Sequence, residues 1–224
     1  MNALYVILAS YASAALVGGI LVLAYGAKSA QPYLISDDPH RSTSGFDLYW
    51  RVAVNAVVSI ALIFAVMYGL GSHLYYADAI PFWRYLLEAA TVILIYDFSY
   101  YFVHRYPFHE WKILRSVHAV HHASKNPRVI DSLLLHPIET VLGLGLFFGS
   151  VAFVGGVHIY TLGVLFTTYT AFNVLNHAGI DVPHFPFKLL GVLAAKHDRH
   201  HHSMLSGNYA SITPLPDIIF GTVE

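Results

Sequence analysis

The chain has 224 residues, of which 56% are hydrophobic and 11% are charged, and its mean hydropathy is +0.56. This composition lies outside the range of ordinary soluble domains and indicates a membrane protein. The formal net charge of -1 provides no basic excess to hold a polyanion, so nucleic acid is not expected as a partner. Cysteine is absent, which excludes disulfides, thiolate metal sites and iron–sulfur clusters. Any metal must therefore be held by nitrogen or oxygen.

Five apolar stretches predict membrane segments. The first, residues 3–25, is an uncharged run long enough to cross a bilayer as a helix. A signal peptide is the alternative, but no basic residue precedes this run and it is longer than the usual apolar part of such a signal. The other four stretches cover about 50–70, 80–103, 134–155 and 158–177.

The last two stretches are joined by the turn Gly155-Gly156, so the chain returns to the side that it left. They either cross the membrane fully or form a shallow re-entrant hairpin, and hydropathy does not decide between these alternatives. We therefore predict an all-α integral membrane protein with four to five membrane helices. No long linker interrupts residues 1–224, which are expected to form a single domain.

Basic residues predict the orientation. If the segments alternate, eleven of the twelve lysines and arginines, Arg41 among them, fall on one face of the membrane, and Arg84 is the exception. The positive-inside rule makes this face cytoplasmic. The histidine-rich stretches lie on the same face, so we expect a cytoplasmic helical cap that carries a di-metal site. A short chain without a retention signal favours a bacterial inner membrane over the endoplasmic reticulum.

Fifteen histidines are the most unusual feature of the composition. The pattern HxxHH occurs at 118–122 and again at 197–201, and its spacing places three imidazoles on one helical face. His104 and His109 form another pair, between which Pro107 is expected to end the membrane helix and let the two rings converge. Eight imidazoles exceed the four ligands of one tetrahedral zinc, so their number favours two metals. Imidazole suits iron, zinc, copper and nickel alike, so the ligand type leaves the metal open.

Five motifs resemble the histidine boxes of the fatty acid hydroxylase and sterol desaturase superfamily. They are DFSYYFVHRYPFHEW, HAVHHAS, LLHPIE, NHAG and HDRHHHSMLSGNYAS, and they span residues 97–211. The elements HPIET and GNYAS are most similar to the sterol C4-methyl oxidases. The resemblance implies two irons held by nine histidines: His104, His109, His118, His121, His122, His177, His197, His200 and His201.

Three further residues are candidates for the site. His136 and Glu139 stand three residues apart in HPIE, and the resemblance leaves open whether they bind metal, hold a ligand imidazole or line a substrate channel. Asp97 lies two helical turns before His104 and is expected to accept a hydrogen bond from a ligand imidazole. Tyr101 and Asn208 are expected as neighbours of the site.

Ordinary packing or exposure is expected for the remaining histidines: His40, His73, His158, His184 and His202. A triplet shifted by one residue in HDRHHH would place Asp198 at the first ligand position. The first box has four intervening residues where sterol oxidases usually have three, and Pro216 replaces the tryptophan expected before Asp217. These departures affect the assignment to the sterol oxidase branch of the superfamily, and the expected substrate, more than they affect the expected metal site.

The resemblance implies hydroxylation of a C–H bond of a sterol or fatty acyl lipid, with two iron ions as cofactors and O2 as co-substrate. Without a nucleotide-binding motif or a haem module, electrons are expected from a separate cytochrome or ferredoxin, for which the basic stretch 105–128 offers a docking surface. A desaturase on the same scaffold is one alternative, and a membrane metal or haem carrier or transporter is another. A zinc hydrolase has no HExxH motif to support it. Residues that contact the substrate are not predicted.

Overall fold

The computed structural model describes residues 3–36 and 42–224, so His40 and Arg41 lie outside the described residues. Its helices, in chain order, are α1 (Ala3–Gly26), α2 (Gly45–Leu74), α3 (Phe82–Val103), α4 (Arg115–His118), α5 (Pro137–Phe153), α6 (Ile159–Asn176), α7 (Lys188–His202) and α8 (Leu215–Phe220). A π-helix, His104–Glu110, continues α3, and short 3-10 turns cover Gln31–Tyr33, His121–Ala123 and Val129–Leu133. Two short strands, β1 (Tyr75–Tyr76) and β2 (Val157–His158), complete the elements.

The five apolar stretches of the sequence coincide with the five long helices. Three helical spans are long and apolar enough to cross a membrane: Tyr5–Gly26, Gly45–Leu74 and Phe82–Glu110. Helices α5 and α6 have 17 and 18 residues, and at ~1.5 Å per residue each is about 26 Å long. The prediction of an all-α membrane protein is confirmed, with three long apolar helices and the shorter apolar helix α5 among the described residues.

The hairpin formed by α5 and α6 extends to the far end of the helix bundle. Its tip carries β2, which pairs in parallel with β1, directly after α2. Gly155 and Gly156 make the turn with φ angles of +82° and +86°, and a Cβ at Gly156 would lie 2.9 Å from the carbonyl oxygen of His73. Glycine is required there because both the backbone conformation and the close approach exclude a side chain.

Helix packing leaves α1 and α2 on separate flanks of the bundle. Helix α1 packs along α6, α2 packs along α5, and α3 contacts both members of the hairpin. A Cβ at Gly163 would overlap Val6, which explains how α1 and α6 approach so closely. Buried aromatic residues such as Tyr96, Phe147 and Phe166 fill the space between the helices.

The opposite end of the bundle carries a cap of short elements and loops. Residues 203–213 fold back over this end and are held by two buried carboxylates. Asp97 accepts hydrogen bonds from the backbone N–H groups of 211, 212 and 213 at 2.8–3.1 Å. Asp217 accepts those of Tyr209 and Ala210 at 2.8 and 3.1 Å. The helices therefore place the segments that carry the two HxxHH patterns, His104, His109 and His177 at one end of the molecule.

Candidate metal centre

Nine histidine side chains converge at the capped end in two groups. In each group, the nitrogen atoms that could bind a metal all lie within 4.8 Å of one another. The nine histidines are the same nine that the family resemblance implied as ligands. The first group contains His104, His109, His118, His122 and His200, and the second contains His121, His177, His197 and His201.

A π-helix brings the first two histidines together. His104 and His109 are five residues apart, a spacing that an α-helix does not place on one face, yet their ring centroids are 5.0 Å apart. The wider turn of the π-helix aligns residues i and i+5, as the 2.6 Å hydrogen bond from Trp111 N to Tyr106 O illustrates. The prediction that Pro107 ends the helix was wrong, because the chain continues through Pro107 in this wider form.

Each of the two HxxHH patterns contributes histidines to both groups. His118 and His122 join the first group, whereas His121, between them in sequence, points into the second. In the other pattern, His197 and His201 join the second group, and His200 points into the first. Each pattern thus contributes its i, i+4 pair to one group and its i+3 residue to the other.

Hydrogen bonds orient most of these rings with Nδ1 pointing away from the group centres. Seven of the nine rings place Nδ1 within hydrogen-bonding distance of an oxygen atom, which is a backbone carbonyl in six cases and the Glu139 carboxylate for His118, at 2.8 Å. Three of the carbonyls, those of Met204, Gly207 and Tyr209, come from the segment that folds over the cap. An Nδ1 that donates to an oxygen leaves the lone pair of the neutral ring on Nε2.

The Nε2 atoms face one another inside each group. Neighbouring Nε2 atoms are 3.0–3.1 Å apart in the first group and 3.0–3.3 Å apart in the second. Two lone pairs at this distance repel each other unless a cation lies between them. With a metal–nitrogen bond of ~2.1 Å, adjacent ligands are separated by ~3.0 Å in octahedral and ~3.4 Å in tetrahedral geometry. Both the spacing and the tautomers therefore fit a metal ion in each group.

Burial keeps the rings in the form that binds metal. Desolvation lowers the pKa of His177 to about 4, and desolvation together with the nearby His109 lowers that of His200 to about 3. The same cause, with neighbouring imidazoles second, lowers the pKa of His118, His121 and His201 well below the ordinary value. Neutral imidazoles at neutral pH are available to coordinate a metal without first losing a proton.

The three further candidate residues, Glu139, His136 and Asp97, differ in how they relate to the two histidine groups. Glu139 contacts the first group through His118. This is the alternative in which it holds a ligand imidazole. His136 is outside both groups: its Nδ1 accepts a hydrogen bond from Ile138 N and caps the start of α5, so the structure does not bring it together with the nine histidines. Asp97 accepts hydrogen bonds from the backbone N–H groups of 211–213 and from the Thr213 hydroxyl, in place of the expected imidazole, because these donors occupy both of its oxygens.

The remaining predicted neighbours lie at the edge of the site. Tyr101 accepts a hydrogen bond from Arg105 at 2.8 Å and packs against Tyr209. Asn208, whose φ is +60°, donates to Lys196 O at 3.2 Å. Asp198 and His202 face each other at 3.2 Å, outside both groups, so the triplet 197, 200 and 201 is the one that converges.

A cavity of about 540 Å³ ends at the histidines. Its walls come from α1, α2, α3, α5 and α6, and four ligand candidates, His104, His121, His177 and His197, lie at its inner end. Most of the lining is apolar, and the volume is within the range of small-molecule sites. Sequence reasoning missed this cavity, because only the packing of helices distant in sequence creates it. A run of small residues on α1 is the one signal that could have indicated it.

Comparison with known proteins agrees with this arrangement. The Fatty acid hydroxylase family matches residues 89–222. Methylsterol monooxygenase 1 of Gallus gallus is 35% identical over 65% of this chain and 49% of its own length. A putative methylsterol monooxygenase of Dictyostelium discoideum is 35% identical over 62% and 51%, and the C-4 methylsterol oxidase of Schizosaccharomyces pombe is 29% identical over 58% and 45%.

The chain spans about half the length of these curated relatives. No solved structure matches it. The resemblance drawn from the histidine boxes, including the similarity to sterol C4-methyl oxidases, is confirmed. The family match covers more than half of the chain and includes all nine converging histidines. This protein therefore belongs to the fatty acid hydroxylase family.

Proposed function

We propose that this protein is a membrane-bound di-iron monooxygenase that hydroxylates a C–H bond of a lipid with O2 and externally supplied electrons. One observation carries the proposal: two groups of inward-facing imidazole nitrogens lie at the inner end of a largely apolar cavity. Metals there would be next to whatever the cavity holds. Membership in the fatty acid hydroxylase family supports an oxygenase over a carrier or a hydrolase.

Nine imidazoles would hold the two metals, five in the first group and four in the second. The five imidazoles of the first group exceed the four ligands of structural zinc, and imidazole is a good iron ligand. Iron bound there would supply the activation of O2. Glu139 would hold the ring of His118 in place and increase its basicity as a ligand.

The chain itself would bind the lipid, orient it and exclude water. Apolar side chains such as Leu144 and Phe166 would contact the hydrocarbon part of the substrate. The segment 203–213 covers the histidines on the cap side and would keep bulk water from the reacting C–H bond. The cavity would thereby present one carbon to the metal site in a fixed orientation.

A methylsterol is the first substrate to test. The relatives named above are methylsterol monooxygenases and a C-4 methylsterol oxidase, and the motifs HPIET and GNYAS are similar to that branch. A fatty acyl substrate is the second candidate, since the family is named for it.

The capped end would face the cytoplasm, where basic residues concentrate. Exposed Lys112, Lys125 and Arg199 lie at this end and would attract an acidic cytochrome or ferredoxin as electron donor. The relatives named above are eukaryotic and lend no support to a bacterial inner membrane, so that location stays a prediction from the sequence.

The first test is the metal content of detergent-purified protein, measured by plasma mass spectrometry. We expect about two irons per chain, lost in both His121→Ala and His200→Ala, which remove one ligand from each group. His73→Ala, an exposed histidine at the opposite end of α2, is the matched control and should keep its iron. Zinc in place of iron, or metal retained in both ligand variants, would contradict the proposal.

The second test identifies the product. Lipid extracts from cells that express the wild type or His200→Ala are compared by mass spectrometry. An added oxygen that depends on His200 supports hydroxylation. Loss of two hydrogens without added oxygen would identify a desaturase, and no lipid difference in an iron-loaded, electron-supplied protein would argue against both.

A further inference from the structure

We infer that the lipid enters the cavity sideways from the hydrocarbon layer of the membrane, through a seam between α1 and α2 that small side chains leave open. The seam consists of the cavity-lining faces of α1 and α2 at residues 14–22 and 55–60. The inference deepens the proposed function and rests on it for the lipid nature of the substrate.

Helix packing leaves the seam open. Helix α1 packs against α6, and α2 packs against α5. Within the described part of the chain, α1 and α2 make few contacts with each other. Both nevertheless contribute to the cavity wall. The cavity therefore has packed helices on two flanks and a gap where these two sequence neighbours would have to meet.

Side chains at the seam face both the void and the exterior. Val22 and Ile60 line the cavity, yet they are 59% and 48% exposed. Ala15 also lines the cavity and is exposed. Residues of this kind form the rim of an opening, because a closed wall would bury them. Since α1 and α2 are apolar helices long enough to span a bilayer, the rim faces hydrocarbon.

Small residues keep the seam unfilled. Ala14, Ala15 and Gly18 line it on α1, and Ala56 and Ser59 line it on α2. Larger residues at Ala15 and Ala56 would project into the gap from both sides, whereas a Cβ at Gly18 would meet other side chains of the cavity wall at 3.3–3.7 Å. Both helices precede residue 89, where the family match begins, so the seam belongs to the part of the chain that this match does not cover.

Among the described residues, 3–36 and 42–224, the cap side offers no comparable entrance. At this end His104, His118, His200 and His201 are at most 2% exposed, and backbone segments that accept hydrogen bonds from these rings cover them. A lipid that approached from the aqueous side would also have to leave the membrane first, with its apolar surface exposed to water. The open seam and the closed cap therefore favour the lateral route.

Tryptophan substitutions at the seam test the route. Ala15→Trp and Ala56→Trp fill it from either side. Ala12→Trp and Ala53→Trp are the matched controls: the same residue type on the same helices, three positions earlier, exposed and absent from the cavity lining. The full chain is placed in phosphatidylcholine nanodiscs with a diazirine-bearing cholesterol or a diazirine-bearing palmitic acid. After irradiation, labelled peptides are quantified by mass spectrometry.

We expect labelling of cavity-lining peptides such as 129–135 to fall about tenfold or more in both seam variants and to stay within about twofold in the controls, because indole fills a gap that alanine leaves open. Ala15→Leu and Ala56→Leu should give intermediate losses and serve if a tryptophan variant fails to fold. Unchanged labelling in the folded seam variants, or an equal fall in the controls, overturns the inference.

The readout separates this inference from the proposed function. Photolabelling needs neither iron nor turnover, and iron per chain is measured on the same samples. Absent iron with seam-dependent labelling would refute the oxygenase and keep the entrance. Normal iron content, together with labelling that is unchanged in the seam variants, would refute the lateral entrance and leave the proposed oxygenase function standing.

Discussion

Glu139 distinguishes one imidazole from the other converging rings. Six rings direct Nδ1 to neutral backbone carbonyls, but His118 directs it to a buried carboxylate. A carboxylate acceptor fixes the ring and raises its basicity toward a metal more than a carbonyl does. The first group is therefore expected to depend on this side chain, although Glu139 is in neither set of converging ligands.

We predict that Glu139→Ala weakens metal binding about 10- to 100-fold, the usual effect of removing a partner of a ligand histidine. Glu139→Gln keeps an acceptor oxygen for His118 Nδ1 and should lose much less. Titration of metal-loaded protein with a chelator measures both. Equal behaviour of the alanine and glutamine variants would show that the hydrogen bond is not what matters.

Asp97 is expected to act on stability. Its carboxylate accepts three backbone N–H groups and the Thr213 hydroxyl. Asp97→Asn turns one acceptor into a donor and leaves a buried N–H group unpaired, so it should lower the free energy of unfolding by about 2–3 kcal/mol.

Thermal unfolding in detergent checks this, with Asp47→Asn as the matched control. Asp47 is exposed and pairs with Arg51 at 2.8 Å, so the control should change stability by less than about 1 kcal/mol. A midpoint for Asp97→Asn equal to that of Asp47→Asn would contradict the assignment.

Residue identities explain which parts of the site could be predicted. The nine histidines were found because the box motifs name them, and no other residue type fits their place in the pattern. The carbonyls of Met204, Gly207 and Tyr209 could not be found, because every residue carries a backbone carbonyl. Asp97 was placed correctly on α3, but its partners lie more than a hundred residues away and local spacing does not reveal them.

At the scale of elements, the π-helix accommodates one extra residue in the first box. Four residues separate His104 from His109, and the wider turn still aligns the two rings. An α-helix would align residues that are separated by three. Proline was interpreted as a helix end because it clashes with an α-helical turn, and the sequence pattern gave no sign that the turn would widen.

We predict that deletion of Tyr106 converts the π-helix to an α-helical turn and retains metal binding within about tenfold, since the two histidines would then stand at i, i+4. Insertion of one alanine after Tyr106 should abolish binding in the first group, because neither helix type aligns a spacing of six. Iron content of both variants is the measurement. Loss of iron in the deletion variant would show that the π-helical geometry itself is needed.

For the whole molecule, apolar runs predicted the long helices, because hydropathy follows directly from composition. The partition of histidines between two groups and the cavity between five helices depend on contacts distant in sequence, which no local pattern records. Stability of the whole molecule should also depend on the buried imidazoles, which are neutral when folded and titrate at about 6.5 when unfolded.

We predict that metal-free protein loses stability as the pH falls. Burial lowers the pKa of His177 to about 4 and of His200 to about 3, so between about pH 6.5 and about pH 4 the unfolded chain binds protons that the folded chain does not. The stabilisation is complete above that range and decreases through it. Thermal midpoints of chelator-treated protein at about pH 7.5 and about pH 5 measure this, and a pH-independent midpoint would contradict it.

The contribution of each HxxHH segment to both histidine groups has a consequence for the order in which metal ions bind. Since each segment serves both groups, a metal bound in either group fixes α7 against the turn at His121–Ala123 and so pre-forms part of the other site. The second ion then binds to rings that have already lost their freedom. Loading should accordingly be positively cooperative, with empty and fully loaded molecules in excess of singly loaded ones at intermediate iron supply.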